Sequence, residues 1–202
     1  MLNAFYKTHN YLVEHVRVPA RRVLMDEINW SDRLIAIKGG RGVGKTDFLL
    51  NYAKEMRVKN PELAKHTLYV NLSDFYFTEH TLVELAAEFV AGGGQVLLID
   101  QAYKYPNWSR ELAQCYYRYP NLRIVFIATA VMRVVEDNKD IGHIVRPYNL
   151  RGFSFREYLN VTLGLKLPVY TLEDILKNHV EIAQQISRHI KPLDYFNDYL
   201  HH

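Results

Sequence analysis

Three observations predict an α/β fold in which a parallel sheet is covered by helices on both faces. The apolar run Leu34-Ile35-Ala36-Ile37 leads into Gly39-Gly40-Arg41-Gly42-Val43-Gly44-Lys45-Thr46, which fits G-x-x-x-x-G-K-[ST]. Val96-Leu97-Leu98-Ile99-Asp100 is a continuous apolar run closing in an acid, as when a buried parallel strand delivers a carboxylate to its C-terminal edge. Further apolar runs alternate with stretches of helical periodicity, and the crossovers that join parallel strands are right-handed.

The glycine-rich stretch carries a specific chemistry. Glycines let successive backbone N–H groups turn toward phosphate oxygens, and a lysine reaches the β- and γ-phosphates as a point charge. A threonine hydroxyl is a magnesium ligand. Downstream, Phe48, Leu49, Tyr52, Ala53 and Met56 recur at helical spacing, so the loop opens a helix whose N-terminal dipole also favours an anion. Asp100 is the expected magnesium partner of Thr46.

Taken in order, the chain begins with a helical lead-in over residues 1–30. Its periodicity is read over Tyr11 to Trp30, carried by Leu12, Val13, Val16, Val23, Leu24 and Ile28 and broken by Pro19. Arg21 and Arg22 belong to a solvated helix face, or else meet a nucleotide base or a neighbouring subunit. After the loop helix, Pro61 interrupts the chain and Thr67-Leu68-Tyr69-Val70-Asn71 reads as a second buried strand. Asp74 follows it, a second acid expected beside the loop. Thr81 and Glu84 form a capping box for the helix carrying Leu82, Leu85, Ala86, Phe89 and Val90, and Gly92-Gly93-Gly94 stops it. A helix over Trp108 to Tyr119 follows the acidic strand, with its aromatics read as core. Leu122 to Ile127 makes a fourth strand, and Ile144 to Leu150 contains a fifth. Ser154 and Glu157 cap a further helix over Phe155 to Leu163, and helices over Leu172 to Arg188 and from Pro192 onward make a small C-terminal appendage, residues 164–202. The core is therefore residues 31–163.

The bulk numbers exclude several classes. At 202 residues and 49% hydrophobic, the chain suits one large domain or a domain with an appendage. A net charge of +3 permits nucleic-acid contact without arguing for it. The single cysteine, Cys115, excludes an internal disulfide framework, and no apolar run approaches the roughly 20 residues a bilayer requires. A cytoplasmic protein is expected. There is no internal repeat, low-complexity run or long linker.

The order of the pieces resembles the prokaryotic AAA-type ATPases. The resemblance rests on the phosphate loop, on Leu97 to Gln101 with the following Lys104-Tyr105-Pro106-Asn107-Trp108, and on Leu150-Arg151-Gly152-Phe153-Ser154-Phe155-Arg156-Glu157-Tyr158, which is close to L-x-x-x-S-F-R-E-[YF]. It covers the chain from about Arg22 to Leu163. It implies a three-layer P-loop NTPase sandwich with sheet order 5-1-4-3-2, ATP and magnesium as ligands, and a further C-terminal domain, so that the chain is expected to be a fragment. The closing pair His201-His202 is read as an exposed end, not a zinc site.

The resemblance assigns roles residue by residue. Gly39, Gly40, Arg41, Gly42, Val43, Gly44, Lys45, Thr46 and Asp47 surround the nucleotide, Thr46 and Asp100 hold magnesium, and Lys45, Asp100, Gln101 and Thr129 form the catalytic group. Four departures bear on turnover. Gln101 stands where such ATPases usually place Glu; an amide can hold a water but cannot take its proton, so hydrolysis should be slow. Asp47 stands where Thr or Ser is common, and a carboxylate there repels nucleotide. Ala128-Thr129-Ala130 replaces a Gly-Ser-Ser-like sensor, leaving Thr129 as its only hydroxyl. No arginine is evident before the fifth strand; Arg133, Arg146 and Arg151 are the candidate substitutes, and without a defined arginine finger no ring is expected.

Three readings follow. The first is an ATP-binding AAA-type protein with magnesium-dependent, slow hydrolysis. The second is a catalytically degenerate, nucleotide-gated module acting through a protein partner or another copy of itself. The third takes Tyr103-Lys104-Tyr105-Pro106-Asn107-Trp108-Ser109-Arg110 as a nucleic-acid contact, with rings stacking on bases and cations meeting phosphates; an ordered turn anchored by Tyr105 and Trp108 is its rival.

Overall fold

The computed structural model describes residues 2–201, so of the closing histidine pair His202 lies outside the described residues. Five strands form one sheet: β1 (Leu34–Gly39), β2 (Thr67–Asn71), β3 (Val96–Asp100), β4 (Arg123–Thr129) and β5 (Arg146–Asn149). All pair in parallel, in the order β2-β3-β4-β1-β5. Read from the other edge this is 5-1-4-3-2, the order the resemblance implies. Pro147 sits in the edge strand β5, where a missing N–H leaves no ladder bond unmade.

Side-chain alternation along the strands builds two cores. Leu34, Ala36, Leu68, Val70, Leu97, Ile99, Ile124 and Phe126 face one way, against α5 (Leu82–Ala91) and α6 (Trp108–Arg118). Ile35, Ile37, Tyr69, Leu98, Val125 and Ile127 face the other way, against α3 (Lys45–Lys59). The result is three layers, with both faces of the sheet buried as a parallel sheet requires. Helix α5 is closed by the capping box of Thr81 and Glu84, and its C-cap is Gly92.

The chain forms two compact units. One joins the residues up to Val18 with Val23–Gly152; the other joins Pro19–Arg22 with the residues from Phe153 onward. The second unit holds α7 (Phe155–Leu163), α8 (Leu172–His189) and α9 (Phe196–Leu200). Within it, Arg22 Nε donates to Glu157 Oε1 at 3.3 Å and its guanidinium lies 4.7 Å from the Phe153 ring centroid, so Arg22 is a packed ion-pair residue and not part of a solvated face. Glu157 also closes the capping box with Ser154. Among the described residues, no helix is long and apolar enough to cross a membrane.

The lead-in is helical from Leu2, earlier than the apolar periodicity starting at Tyr11 indicated. Helix α1 spans Leu2–His15; the chain around Pro19 is irregular, and only the short α2 (Leu24–Glu27) follows. Helix α1 covers the free edge of β2. There the Tyr69 N–H, which has no further strand to pair with, donates to His9 Nδ1 at 3.0 Å. The imidazole is 3% exposed and must be neutral at Nδ1 to accept this bond. Burial, reinforced by the Arg57 cation, lowers its pKa from 6.5 to about 4.

This depression has a defined sign. The unfolded chain takes up a proton near pH 6.5 while the folded chain resists it to about 4, so the His9 contribution is complete above pH 6.5 and is lost as pH falls through that window. Its full size is about 3 kcal/mol. Urea unfolding followed between pH 7 and 4 should show this loss in the wild type, and His9→Gln, which keeps an acceptor but does not titrate, should flatten the profile.

Candidate functional site

The site grows from the C-terminal end of β1. Gly39 is held so closely that a Cβ there would lie 2.5 Å from the Leu150 carbonyl oxygen and 2.9 Å from Val43 Cγ2. Gly42 and Gly44 take left-handed backbone at φ +84° and +85°, and a Cβ on either would meet nothing within 4 Å. The loop is thus tight against the protein at its start and open at its turns. Helix α3 begins at Lys45 with Gly44 as N-cap and no side-chain cap bond, leaving its first N–H groups available to an anion.

A cleft of about 810 Å³ lies over this loop. Its lining includes Gly39, Gly40, Arg41, Gly42, Gly44, Lys45, Thr46 and Asp47 from the loop and α3, Asp100 and Gln101 from the end of β3, and Thr129 from the end of β4. Of the twelve site residues expected from the sequence, Val43 alone is absent from this lining: it turns into the core beside Gly39. Asp74 is not in the lining; its carboxylate accepts from the Tyr76 N–H at 3.0 Å and caps a short 3-10 turn over Phe75–Thr78. Arg133, Arg146 and Arg151 also lie outside the lining.

The lysine and the acid are held by different partners. Lys45 Nζ donates to the carbonyls of Gly39 at 2.9 Å and Gly40 at 2.6 Å. Burial lowers its pKa, while Asp100 pulls it back up. The Asp100 carboxylate is 2% exposed and accepts three bonds: Thr46 Oγ1 at 2.6 Å and the Tyr69 hydroxyl at 3.0 Å on Oδ2, and the Gln101 N–H at 2.6 Å on Oδ1. A buried carboxylate is tolerated when its lone pairs are satisfied in this way. Burial and then the Asp100 charge push the Tyr69 phenol far above its ordinary pKa, so it remains a donor.

Gln101 takes left-handed backbone at φ 56°, and its side-chain Oε1 is buried without a hydrogen-bond partner among the described residues. Such an atom costs free energy unless something donates to it. Asp47 stands exposed in the first turn of α3 and remains part of the cleft wall. Thr129 sits across from Gly39 in the β1–β4 register, so its place at the cleft follows from the sheet itself.

Tyr69 was missed by sequence reasoning, which took it for core. A signal existed: residues 96, 98 and 100 of β3 share one face, Tyr69 lies on that face of the adjacent strand, and a buried phenol requires a partner. Tyr103, Lys104, Ile127, Ala130 and Val131 also line the cleft. The aromatic and basic run after β3 is dispersed. The Tyr105 hydroxyl donates to Glu111 at 3.1 Å, Trp108 packs on Phe126 at 5.6 Å, and Tyr103 and Lys104 face the cleft.

A parallel sheet with a glycine-rich loop between its first strand and helix, and an acid at the tip of β3, defines a nucleotide-binding P-loop domain. The sequence profile of the AAA domain matches residues 31–159, more than half of the chain, and the chain belongs to that family. No curated protein matches the sequence at a significant level. Similar solved structures include Caenorhabditis PCH-2 (C. elegans; 18% identity, TM-score 0.44, covering 84% of this chain and 50% of that one). Others are domain III of the replication initiation protein DnaA from Thermotoga maritima (16%, 0.49, 87% and 76%) and AMPPCP-bound DnaA from Aquifex aeolicus (15%, 0.43, 92% and 60%). The chain thus spans half the length of the PCH-2 chain and 60% of the A. aeolicus chain.

The close approach at Gly39 sets a measurable contrast. Gly39→Ala forces a Cβ against backbone and should cost about 1–3 kcal/mol in urea unfolding of the ligand-free protein. Gly40→Ala, whose Cβ meets only Val43 Cγ1 at an ordinary 3.6 Å, should leave stability nearly unchanged.

Proposed function

We propose that this chain binds ATP together with magnesium and hydrolyses it slowly. The observation that carries the reading is the convergence of Lys45, Thr46 and Asp100 on one cleft, with the threonine hydroxyl 2.6 Å from the carboxylate. Gly39, Gly40, Arg41, Gly42, Gly44 and the first N–H groups of α3 cradle the phosphates, and Val43 supports the loop from the core side. Lys45 exchanges its two loop carbonyls for phosphate oxygens, a stronger charge-assisted pairing.

The donor set suits magnesium. Thr46 Oγ1 and Asp100 Oδ2 are hard oxygen ligands at the cleft floor, of the kind that share this ion with nucleotide phosphates. When bound there, magnesium would neutralise charge developing on the transferred phosphoryl group. The protein's own residues supply position. The unpartnered Gln101 Oε1 accepts a hydrogen bond from the attacking water, and Thr129 donates toward the terminal phosphate. Since an amide takes no proton, turnover is limited at this step.

A second reading is favoured by Asp47, Gln101 and the Ala128-Thr129-Ala130 tip of β4: a nucleotide-gated module that works through a protein partner or another copy of this chain. Multiple turnovers by the wild type would count against it. A nucleic-acid role has less support, because the run expected to contact bases is dispersed between core and cleft. The reading places the protein in the cytoplasm, in keeping with a single cysteine, Cys115, that is a buried free thiol.

Titration with fluorescent ATP tests the first reading. Saturable, magnesium-dependent binding is expected in the wild type and should vanish in Lys45→Ala; a wild type without saturable binding rejects it. Asp47→Ser should tighten binding by removing a like charge. Gln101→Glu should raise kcat in a phosphate-release assay, and an unchanged kcat would show that the missing base is not what limits turnover.

A further inference from the structure

Tyr69 sits in the middle of β2, 4% exposed, and is bonded through both backbone and side chain. Its N–H donates to His9 of α1, and its hydroxyl donates to Asp100 Oδ2 at 3.0 Å. It does not line the cleft, so it cannot touch a nucleotide, and any effect it has on the site passes through Asp100.

The three donors on Asp100 are not equivalent. Thr46 Oγ1 is itself a ligand candidate for magnesium, so its bond to Oδ2 competes with that task. The Gln101 N–H holds only Oδ1, and does so from the adjacent left-handed residue. The Tyr69 hydroxyl alone comes from a neighbouring strand of the rigid sheet, independent of loop and nucleotide. We infer that Tyr69 is a positioning residue that holds the Asp100 carboxylate in the orientation needed to take magnesium together with Thr46. This rests on the reading of the cleft as a magnesium-nucleotide site. Outer partners of this kind orient the ligand itself, and their loss is felt in metal affinity.

The test is fluorescent-ATP binding to the 202-residue chain across a magnesium series and in EDTA, comparing wild type with Tyr69→Phe, with folding checked by circular dichroism. Tyr69→Phe should keep the wild-type affinity in EDTA but need about tenfold more magnesium for half of the full enhancement. In an Asp100→Asn background the same substitution should add nothing further. An unchanged magnesium dependence overturns the inference, and so does equal weakening in EDTA and in magnesium, which marks a packing role. If Tyr69→Phe does not fold, Tyr69→Met, which also lacks the hydroxyl, is judged by the same two outcomes. A wild type that binds no nucleotide removes the magnesium-nucleotide reading and this inference with it; failure confined to the variant comparison removes the inference alone.

Discussion

The buried carboxylate of Asp100 is the constraint on which the site depends. An ionised group with 2% exposure is costly unless each oxygen has donors, and here they come from three parts of the chain. Tyr69 ties it to β2, Thr46 to the start of α3, and the Gln101 N–H to the turn after β3. Each bond also fixes geometry. The first sets a strand neighbour, the second sets where the loop helix begins, and the third holds a turn in left-handed backbone that a glutamine adopts only at a cost of about 1–3 kcal/mol.

The sheet order explains why these groups meet. From β1 the chain crosses to β2 at the far edge, returns through β3 and β4, and then passes to β5 on the other side of β1. The chain therefore adds strands on one side of β1 and then on the other, and the crevice at the C-terminal ends of β1, β3 and β4 is where such sheets receive ligands. The pairing of Gly39 with Thr129 sets loop and hydroxyl side by side, and the β3–β4 register brings β3 to its end at Asp100 beside the level of Ile127, just short of them at that edge. Helix α1 protects the arrangement from the side, since His9 accepts from the outward-facing Tyr69 N–H at the free edge of β2.

Most of the architecture was legible because it is written in local patterns. Apolar runs mark the four buried strands β1 to β4, whereas the edge strand β5 is the polar, largely exposed Arg146-Pro147-Tyr148-Asn149; the Thr81–Glu84 and Ser154–Glu157 boxes mark helix starts, and the glycine loop with Asp100 marks the site. What escaped detection depends on relations between distant segments. His9 reads as an ordinary helix residue until β2 lies against it, and Tyr69 reads as core until Asp100 lies on the adjacent strand. Tyr103 to Arg110 looks like a single aromatic and basic patch, but the left-handed Asn107 turns the chain so that Trp108 enters the core while Tyr103 and Lys104 stay at the cleft. Helix α1 begins at Leu2 because Leu2, Phe5 and Tyr6 pack on the core, a burial that a window starting at Tyr11 does not contain.

The glutamine beside Asp100 then has an electrostatic logic. The charged lining of the cleft comprises Arg41, Lys45 and Lys104 against Asp47 and Asp100, an excess of one cation for a polyanionic ligand. A glutamate at position 101 would erase that excess and place a second carboxylate next to one already buried, where like charges cannot both ionise without penalty. The neutral amide keeps the hydrogen-bond acceptor without the charge. On the proposed reading of the cleft, with Asp47 already in the wall, an uncharged neighbour favours holding phosphate over supplying a base.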